Sequence, residues 1–117
     1  MATPAARKRP SRSRPSQDIF DLIGRSENIR EACDAMRVMA HPLRLKILCL
    51  VGSQELSVLE IVEAVGTTQS NISQHLAVMR GHGLLAARKE ATKVFYRIGD
   101  QRVLKMISLT REIFCSL

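Results

Sequence analysis

The chain has 117 residues and a formal net charge of +7, and 45% of its residues are hydrophobic while only 3% are aromatic. That length allows one domain with a modest core, and the aliphatic composition favours packed helices over an all-β sandwich. No apolar run is long enough to cross a membrane, and none follows the basic N-terminus as in a secretory signal. We therefore expect a cytoplasmic protein with no membrane partner, whose three cysteines form no permanent disulfide.

The positive charge is concentrated at the two ends of the chain. Residues 1–17 and residues 80–117 each carry a net charge of +5, whereas residues 18–79 carry −3. Basic surfaces attract polyanions, of which nucleic acid is the most abundant in a cytoplasm, although such a face can equally be solvated. Residues 1–17 have no periodic apolar pattern, so we predict a disordered basic arm followed by one folded domain over residues 18–117. The arm would serve either DNA binding or solubility.

Helical periodicity starts at Ser26. Apolar residues recur there at three- and four-residue steps, which predicts a first helix that ends before Pro42. Pro42 suits the first turn of a second helix, because its missing N–H is not needed at that position. The apolar pattern of this second helix continues as far as Gly52.

A helix-turn-helix pattern follows. Ser57 and Glu60 have the spacing of a capping box, which predicts a short third helix over residues 58–65. Gly66 ends that helix, and one of the two threonines after it caps a fourth helix over residues 69–80. Two short helices joined by a turn that contains glycine are typical of DNA-binding helix-turn-helix units.

The remaining pattern predicts a β-hairpin wing and a last helix. Residues 84–89 and 94–98 resemble strands, and the polar residues 90–93 form the tip between them. Asp100 caps a final helix over residues 101–115. The order α-α-α-α-β-β-α describes a mainly helical winged helix-turn-helix fold.

The fourth helix is the most informative segment. Between its apolar positions it carries amides, hydroxyls and one imidazole, and no charged residue lies between Glu63 and Arg80. Such side chains suit base edges and phosphates in the major groove, so this helix would read DNA while the basic wing attracts it; the alternative is a solvated polar face. The predicted DNA-binding residues are Gln69, Ser70, Asn71, Ser73, Gln74, His75, Arg88, Lys89 and Lys93.

Four segments together resemble a known family. Residues 38–48, 69–76, 83–85 and 94–98 are similar, in order and spacing, to the ArsR/SmtB family of winged-helix repressors, and the resemblance covers roughly residues 27–115. It implies a homodimer built on the first and last helices, binding to a double-stranded DNA operator, and release when an inducer is sensed.

The metal sites of that family are not matched here. Ser57 and Leu59 stand where the arsenic- and lead-type cysteines would be, and the last helix has no histidine and only Glu112 as an acid, where the zinc-type site uses Asp and His. We therefore predict no metal site and no cofactor. No two of the histidines have ligand spacing with a cysteine; they are His41, His75 and His82.

The cysteines suggest an inducer. Cys49 ends the second helix and Cys115 ends the last, and both segments resemble the dithiol branch of the family, the SqrR-, BigR- and HlyU-like repressors, where this pair senses reactive sulfur. A thiolate can take a sulfane sulfur or be oxidised, after which the second thiol closes a disulfide or polysulfide bridge. We therefore expect a reactive sulfur species or an oxidant as inducer, with Cys33 in the core. The alternative is a soft-metal or arsenite-responsive repressor that uses Cys33, Cys49 and Cys115.

Two other classes of function are disfavoured. A cysteine–histidine thiol enzyme would need an Asp or Asn to orient the histidine, and none lies beside His41 or His75; nor is there a glycine-rich phosphate loop. We therefore do not expect an enzyme. A protein-interaction module that uses the fold without DNA is opposed by the polar face over residues 69–75 and by the basic wing.

Overall fold

The computed structural model describes residues 17–24 and 26–115. The predicted basic arm over residues 1–17 lies outside the described residues, except for Gln17, which begins a helix. The chain forms two compact units, Met1–Ala32 and Cys33–Leu117.

The first unit contains a helix that was not predicted. Helix α1 spans Gln17–Gly24, with Asp18 in its first turn, where a carboxylate is favourable at the positive helix end. Its Ile19 and Phe20 are exposed. Eight residues make only about two turns, which is too short for a repeating apolar stripe to stand out in the sequence. Helix α2, Ser26–Met39, begins in this unit and ends in the second.

Helix α3 spans Pro42–Val51, with the boundaries predicted from the sequence. His41 is its N-cap, and the His41 Nδ1 accepts a hydrogen bond from the Leu43 N–H at 3.2 Å. At the other end the Gly52 N–H donates to the Leu48 carbonyl oxygen at 3.0 Å. Gly52 has φ 53°, a left-handed value that glycine adopts without strain. Local capping therefore fixes both ends of α3.

The predicted helix pair is present as α4, Val58–Val65, and α5, Gln69–Gly81. The capping box before α4 is complete: Ser57 Oγ accepts from the Glu60 N–H at 3.2 Å, and Glu60 Oε1 accepts from the Ser57 N–H at 2.8 Å. Thr68 is the N-cap of α5. The two short helices thus start where their caps place them.

The wing belongs to a three-stranded antiparallel sheet. Strand β2 spans Leu85–Glu90 and pairs with β3, Lys93–Ile98, which confirms the predicted hairpin. A short strand β1, Leu56–Ser57, pairs with the other edge of β3, giving the order β1-β3-β2. Strand β1 was not predicted, because two residues cannot show an alternating pattern. It attaches the wing to the start of α4.

The last helix, α6, spans Gln101–Phe114. Asp100 is its N-cap, as predicted, and Asp100 Oδ1 accepts from the Arg102 N–H at 2.8 Å. Cys115 is the C-cap, and its N–H donates to the Arg111 carbonyl oxygen at 2.9 Å. Within the described residues, no helix is long and apolar enough to cross a membrane.

The core lies where α3, α4 and α5 meet. Leu84, Leu85 and Ile107 pack against this centre from the sheet and from α6. Burying one such aliphatic side chain contributes about 1.5–3 kcal/mol, so the packing fixes which face of α5 points outward. The fully buried side chains are Ile47, Leu48, Val51, Ile61, Ile72, Leu76 and Met79.

Removing the Ser57 cap tests this description of α4. Ser57→Ala leaves the Glu60 N–H without its acceptor, and we expect the free energy of unfolding to fall by about 1 kcal/mol. Urea denaturation followed by circular dichroism measures the change. Ser53→Ala is the matched control, because Ser53 is exposed and caps no helix. Equal effects of the two substitutions would contradict the role of Ser57.

Candidate nucleic-acid interface

The turn between α4 and α5 determines how α5 is presented. Gly66 has φ 83°, in the left-handed region, and its N–H donates to the Val62 carbonyl oxygen at 2.8 Å. Glycine takes this conformation without a Cβ penalty. Two residues later, Thr68 Oγ1 accepts from the Asn71 N–H at 3.1 Å and starts α5. The turn is therefore short and defined at both ends.

Helix α5 has one buried face and one polar face. Its inward side chains have no exposed area, as the sequence predicted; they are Ile72, Leu76 and Met79. Four of the predicted DNA-binding residues are exposed on the same helix; they are Gln69, Ser70, Ser73 and Gln74. Their amides and hydroxyls can donate and accept hydrogen bonds, as base edges and phosphates require. The helix is thus built to present uncharged polar groups.

The other two predicted residues of α5, Asn71 and His75, are half-buried and held by the protein. Asn71 Nδ2 donates to Thr67 Oγ1 at 3.2 Å. His75 Nδ1 accepts from Arg44 Nε at 3.0 Å. The six residues proposed to read DNA therefore divide into four exposed side chains and two anchored ones.

The surroundings of His75 favour its neutral form. The His41 and His75 ring centroids are 4.7 Å apart, and the rings are tilted by 53°. Partial burial lowers the pKa of His75, and the nearby His41 and Arg44 lower it further. Arg44 was not among the residues predicted for this site, because nothing in the local pattern around residue 44 connects it to residue 75.

The wing carries exposed cations at its tip. Lys89 lies on β2 and Lys93 on β3, and both are exposed, as is Arg97 farther along β3. The turn between the strands is only two residues long, with Ala91 at φ 56°. Lysines at the end of such a ribbon are placed to meet a phosphate backbone.

Arg88 has a different environment from the wing lysines. Its Nε donates to Glu55 Oε1 at 2.8 Å, and its Nη1 donates to Glu90 Oε2 at 2.6 Å. The guanidinium carbon also lies 4.8 Å from the centre of the Phe95 ring. These hydrogen bonds raise the pKa of Arg88 and lower that of Glu55. Two carboxylates thus balance the Arg88 charge, and the side chain ties the wing to the segment before β1.

A groove connects the two parts of this surface. It has a volume of about 350 Å³ and lies between the starts of α4 and α5 and the wing tip. Gln69 of α5 and Lys93 of the wing both line it. Its other lining residues are Ser57, Val58, Leu59, Thr92 and Val94. An uncharged amide and a cation therefore border one concave surface.

The two predicted sensing cysteines lie in one region of the molecule. Cys49, near the end of α3, is half-buried, whereas Cys115 at the end of α6 is exposed, and α3 packs against α6. Burial raises the pKa of Cys49, Arg111 acts in the opposite direction, and Cys115 adds to the rise. Arg111 and Cys115 are thus both within electrostatic range of Cys49. Arg111 is the nearby cation that no sequence neighbour of Cys49 provides.

The third cysteine was predicted to lie in the core, and that prediction is wrong: Cys33 is exposed. Its helix buries Val38 and Met39 but leaves Met36 exposed, so the apolar stripe did not identify the inward face. Over residues 17–24 and 26–115, no three metal-binding side chains are grouped as a site would require.

Helix α6 has a second apolar face besides the one that enters the core. Ile107 is buried, but Met106, Leu109 and Ile113 are exposed, and Phe114 retains 80% of its accessible surface. Met106, Leu109 and Ile113 follow one another at three- and four-residue steps, so they share one side of the helix. Among the described residues of the unit Cys33–Leu117, nothing covers this side.

Comparisons of sequence agree with this geometry. The profile of the family described as "Bacterial regulatory protein, arsR family" matches residues 41–87. The chain is 40% identical over 96 residues to the transcriptional activator HlyU of Vibrio cholerae, and the match covers 82% of this chain and 89% of HlyU. It is 29% identical to the biofilm growth-associated repressor of Xylella fastidiosa over 104 residues, which is 89% of each chain.

Solved structures give the same result. HlyU from Vibrio cholerae superposes with a TM-score of 0.73 at 41% identity, covering 75% of this chain and 96% of HlyU. A second structure, described as reduced HlyU, also has a TM-score of 0.73, at 40% identity. This match covers 77% of this chain and 95% of HlyU. A homodimeric winged helix-turn-helix DNA-binding domain from Mycobacterium bovis superposes with a TM-score of 0.71 at 27% identity. The match covers 75% of this chain and 82% of that domain.

The different environments of Arg88 and Lys93 lead to a prediction for nonspecific duplex DNA. Lys93→Gln removes an exposed cation. The slope of the logarithm of the binding constant against the logarithm of the salt concentration should therefore become shallower, by the amount that corresponds to about one phosphate contact. Arg88→Gln should leave that slope unchanged and lower the melting temperature, because it breaks the link between Glu55 and the wing. Fluorescence anisotropy over a salt series and thermal denaturation measure the two effects. A shallower slope with Arg88→Gln would mean that Arg88 contacts phosphate.

Proposed function

The chain belongs to the arsR family of bacterial regulatory proteins, and we propose that it is a transcriptional repressor that a reactive sulfur species or an oxidant releases from its operator. Family membership makes it a DNA-binding regulator and not an enzyme. The named relatives include an activator and a repressor. The observation that carries the DNA-binding part is the exposed, uncharged polar face of α5 beside a basic wing, and the sensing part rests on Cys49 and Cys115 lying in one region.

DNA binding divides between α5 and the wing. Helix α5 enters the major groove, where Ser70 and Gln74 contact base edges and Gln69 and Ser73 contact bases or phosphates. Lys89 and Lys93 contact the backbone beside that groove. Asn71 and His75 support the helix from its partly buried side.

The operator is bound by a homodimer. The exposed apolar side of α6 supplies one part of its interface, and α2 adds the exposed Met36. Contiguous apolar surface of this kind is typical of protein–protein contacts. The homodimeric Mycobacterium bovis domain supports this assembly. Two copies of α5 about 34 Å apart would reach successive major grooves of an inverted repeat.

The inducer acts on Cys49 and Cys115 in the reducing cytoplasm. The thiolate of one cysteine attacks the outer sulfur of a persulfide, forming a cysteine persulfide and releasing the donor's thiol. The second thiolate then attacks the cysteine sulfur, which forms a disulfide and releases hydrogen sulfide. Two electrons pass from the cysteine pair to the donor. One structure of the relative HlyU is described as reduced, and this supports a redox-dependent state for this chain.

Cys115 is the thiol that reacts first. It is exposed, whereas burial raises the pKa of Cys49 and disfavours its thiolate. Arg111 offsets part of that penalty and makes Cys49 competent for the second step. The bridge would tie the end of α3 to the end of α6 and change the spacing of the two reading helices in the dimer.

Substitutions on α5 test the reading role. With a duplex that the protein itself enriches from a random-sequence pool, Ser70→Ala and Gln74→Ala should reduce the preference over random DNA by about 1–3 kcal/mol. The cause is the loss of hydrogen bonds to base edges. Competition binding measures the preference, with the exposed Ser53→Ala as control. Unchanged specificity would show that α5 is not the reading helix.

Cysteine substitutions test the sensing role. Cys49→Ser and Cys115→Ser should each bind the enriched duplex but no longer release it after persulfide treatment. Because Cys115 reacts first, mass spectrometry should show a persulfide that accumulates on Cys115 in Cys49→Ser, and much slower persulfide formation on Cys49 in Cys115→Ser. Cys33→Ser is a matched control, because Cys33 is also an exposed thiol but lies on another helix.

Release by a variant that lacks both Cys49 and Cys115 would disprove the dithiol mechanism. A Cys33→Ser variant that no longer responds would move the sensing thiol to α2.

A further inference from the structure

The hydrogen bond between Arg44 and His75 lies outside the proposed sensing pair, yet it holds the reading helix. We propose that Arg44 and His75 form a proton-sensitive latch: neutral His75 fixes α5 for specific DNA binding, and protonation of His75 loosens it. Arg44 and His41 are then positioning residues that act through His75. The inference rests on the proposed role of α5 in reading DNA.

The geometry places Arg44 at a junction of three helices. From α3, Arg44 Nε donates to His75 Nδ1 on α5 at 3.0 Å, a contact that spans 31 positions in the chain. Arg44 Nη1 also reaches the Val38 carbonyl oxygen near the end of α2, at 3.4 Å. Both hydrogen bonds are partly buried. The Arg44 side chain therefore links α5, at His75, to α3 and to the end of α2.

The chemistry of the imidazole makes this contact sensitive to protons. A guanidinium has donors and no acceptor, so His75 Nδ1 must be unprotonated and the ring proton must be on Nε2. The next proton can bind only at Nδ1. Protonation turns His75 Nδ1 from an acceptor into a donor that faces the Arg44 Nε donor. It also places the imidazolium next to the guanidinium, and the two positive charges repel each other. The hydrogen bond cannot survive it.

The groups around His75 oppose the imidazolium. Burial, His41 and Arg44 all lower its pKa. The other elements that pack against α5 are α4, with Glu60 and Glu63, and β2, with Arg88, Lys89 and Glu90. None of these five is among the groups that shift His75, and Glu60, Arg88 and Glu90 are held in contacts of their own. Among the described residues, no carboxylate thus compensates a charge on His75.

The direction of the pH effect follows from linkage. Because the folded state lowers the pKa of His75, the unfolded chain binds more protons than the folded one as the pH falls. The contribution of His75 to stability is complete above its ordinary pKa of 6.5 and is lost as the pH falls through the lower, folded value. Specific DNA binding should weaken over that range. The added positive charge alone would instead strengthen DNA binding as the pH falls, since a protonated histidine attracts phosphate.

The latch can be observed without DNA. Two-dimensional ¹⁵N–¹H spectra of the imidazoles in the whole protein report the protonation of each ring nitrogen. We expect His75 to carry its proton on Nε2 at neutral pH, and to titrate below the ordinary histidine value. A proton on Nδ1 at neutral pH, or a His75 that titrates at or above that ordinary value, would overturn the latch.

Its effect on function is measured with the enriched duplex between about pH 7.5 and about pH 5.5. We expect the affinity of the wild-type protein, divided by that of H75N, to fall about fivefold or more, as for the loss of one net hydrogen bond. Asparagine places an amide oxygen near the position of Nδ1 and does not titrate. H82N is the matched control, because it removes an exposed histidine of the same region, and its pH profile should follow the wild type.

His41 must be separated from His75. In H41N an amide oxygen can still cap α3, so the pH dependence should persist, with its midpoint moved upward because one opposing group is gone. A wild-type to H75N ratio that stays constant or rises at low pH would overturn the latch. That result is distinct from failure of the proposed function, in which Ser70→Ala and Gln74→Ala leave specificity unchanged at neutral pH.

Discussion

The burial of one face of α3 is the constraint on which the rest of the molecule depends. Ile47, Leu48 and Val51 have no exposed area, and α3 packs against α4, α5, α6 and β3. Helix α5, strand β3 of the wing and helix α6 therefore take their positions from this ten-residue helix. The side chains of α3 that do not enter the core then provide the more specific contacts, through Arg44 to α5 and through Cys49 towards α6.

Most of the fold could be predicted because its signals are local. The Ser57–Glu60 pair and Asp100 mark helix starts by hydrogen bonding within three residues, and Pro42 marks one by its missing N–H and fixed φ. All three starts are confirmed. The inward face of α5 follows from a period of 3.6 residues. Helix α1 and strand β1 escaped prediction, because neither is long enough to show its period. The stripe on α2 was visible, but the solvent exposure of Cys33 was not.

The candidate site was predictable only in part. Residue type and helix period identified the polar face of α5, and strand pattern identified the wing lysines. The partners of three side chains could not be found this way, since Arg44 contacts His75, Glu55 contacts Arg88, and Arg111 acts on Cys49 across long stretches of chain. These contacts change the interpretation: His75 supports α5 from within, and Arg88 is a structural tie as well as a charge.

Arg44 and Cys49 are five positions apart on the same helix, which is about 7.5 Å along its axis. A helix of this length has no internal joint and moves as a rod, while the left-handed Gly52 just after it allows the chain to bend. A displacement of the Cys49 thiol would therefore move the Arg44 guanidinium by nearly the same amount. No chain of intervening side chains would be needed to transmit the movement. In the proposed mechanism, the thiol that receives the chemical signal and the guanidinium that holds the proposed reading helix are therefore less than two helical turns apart.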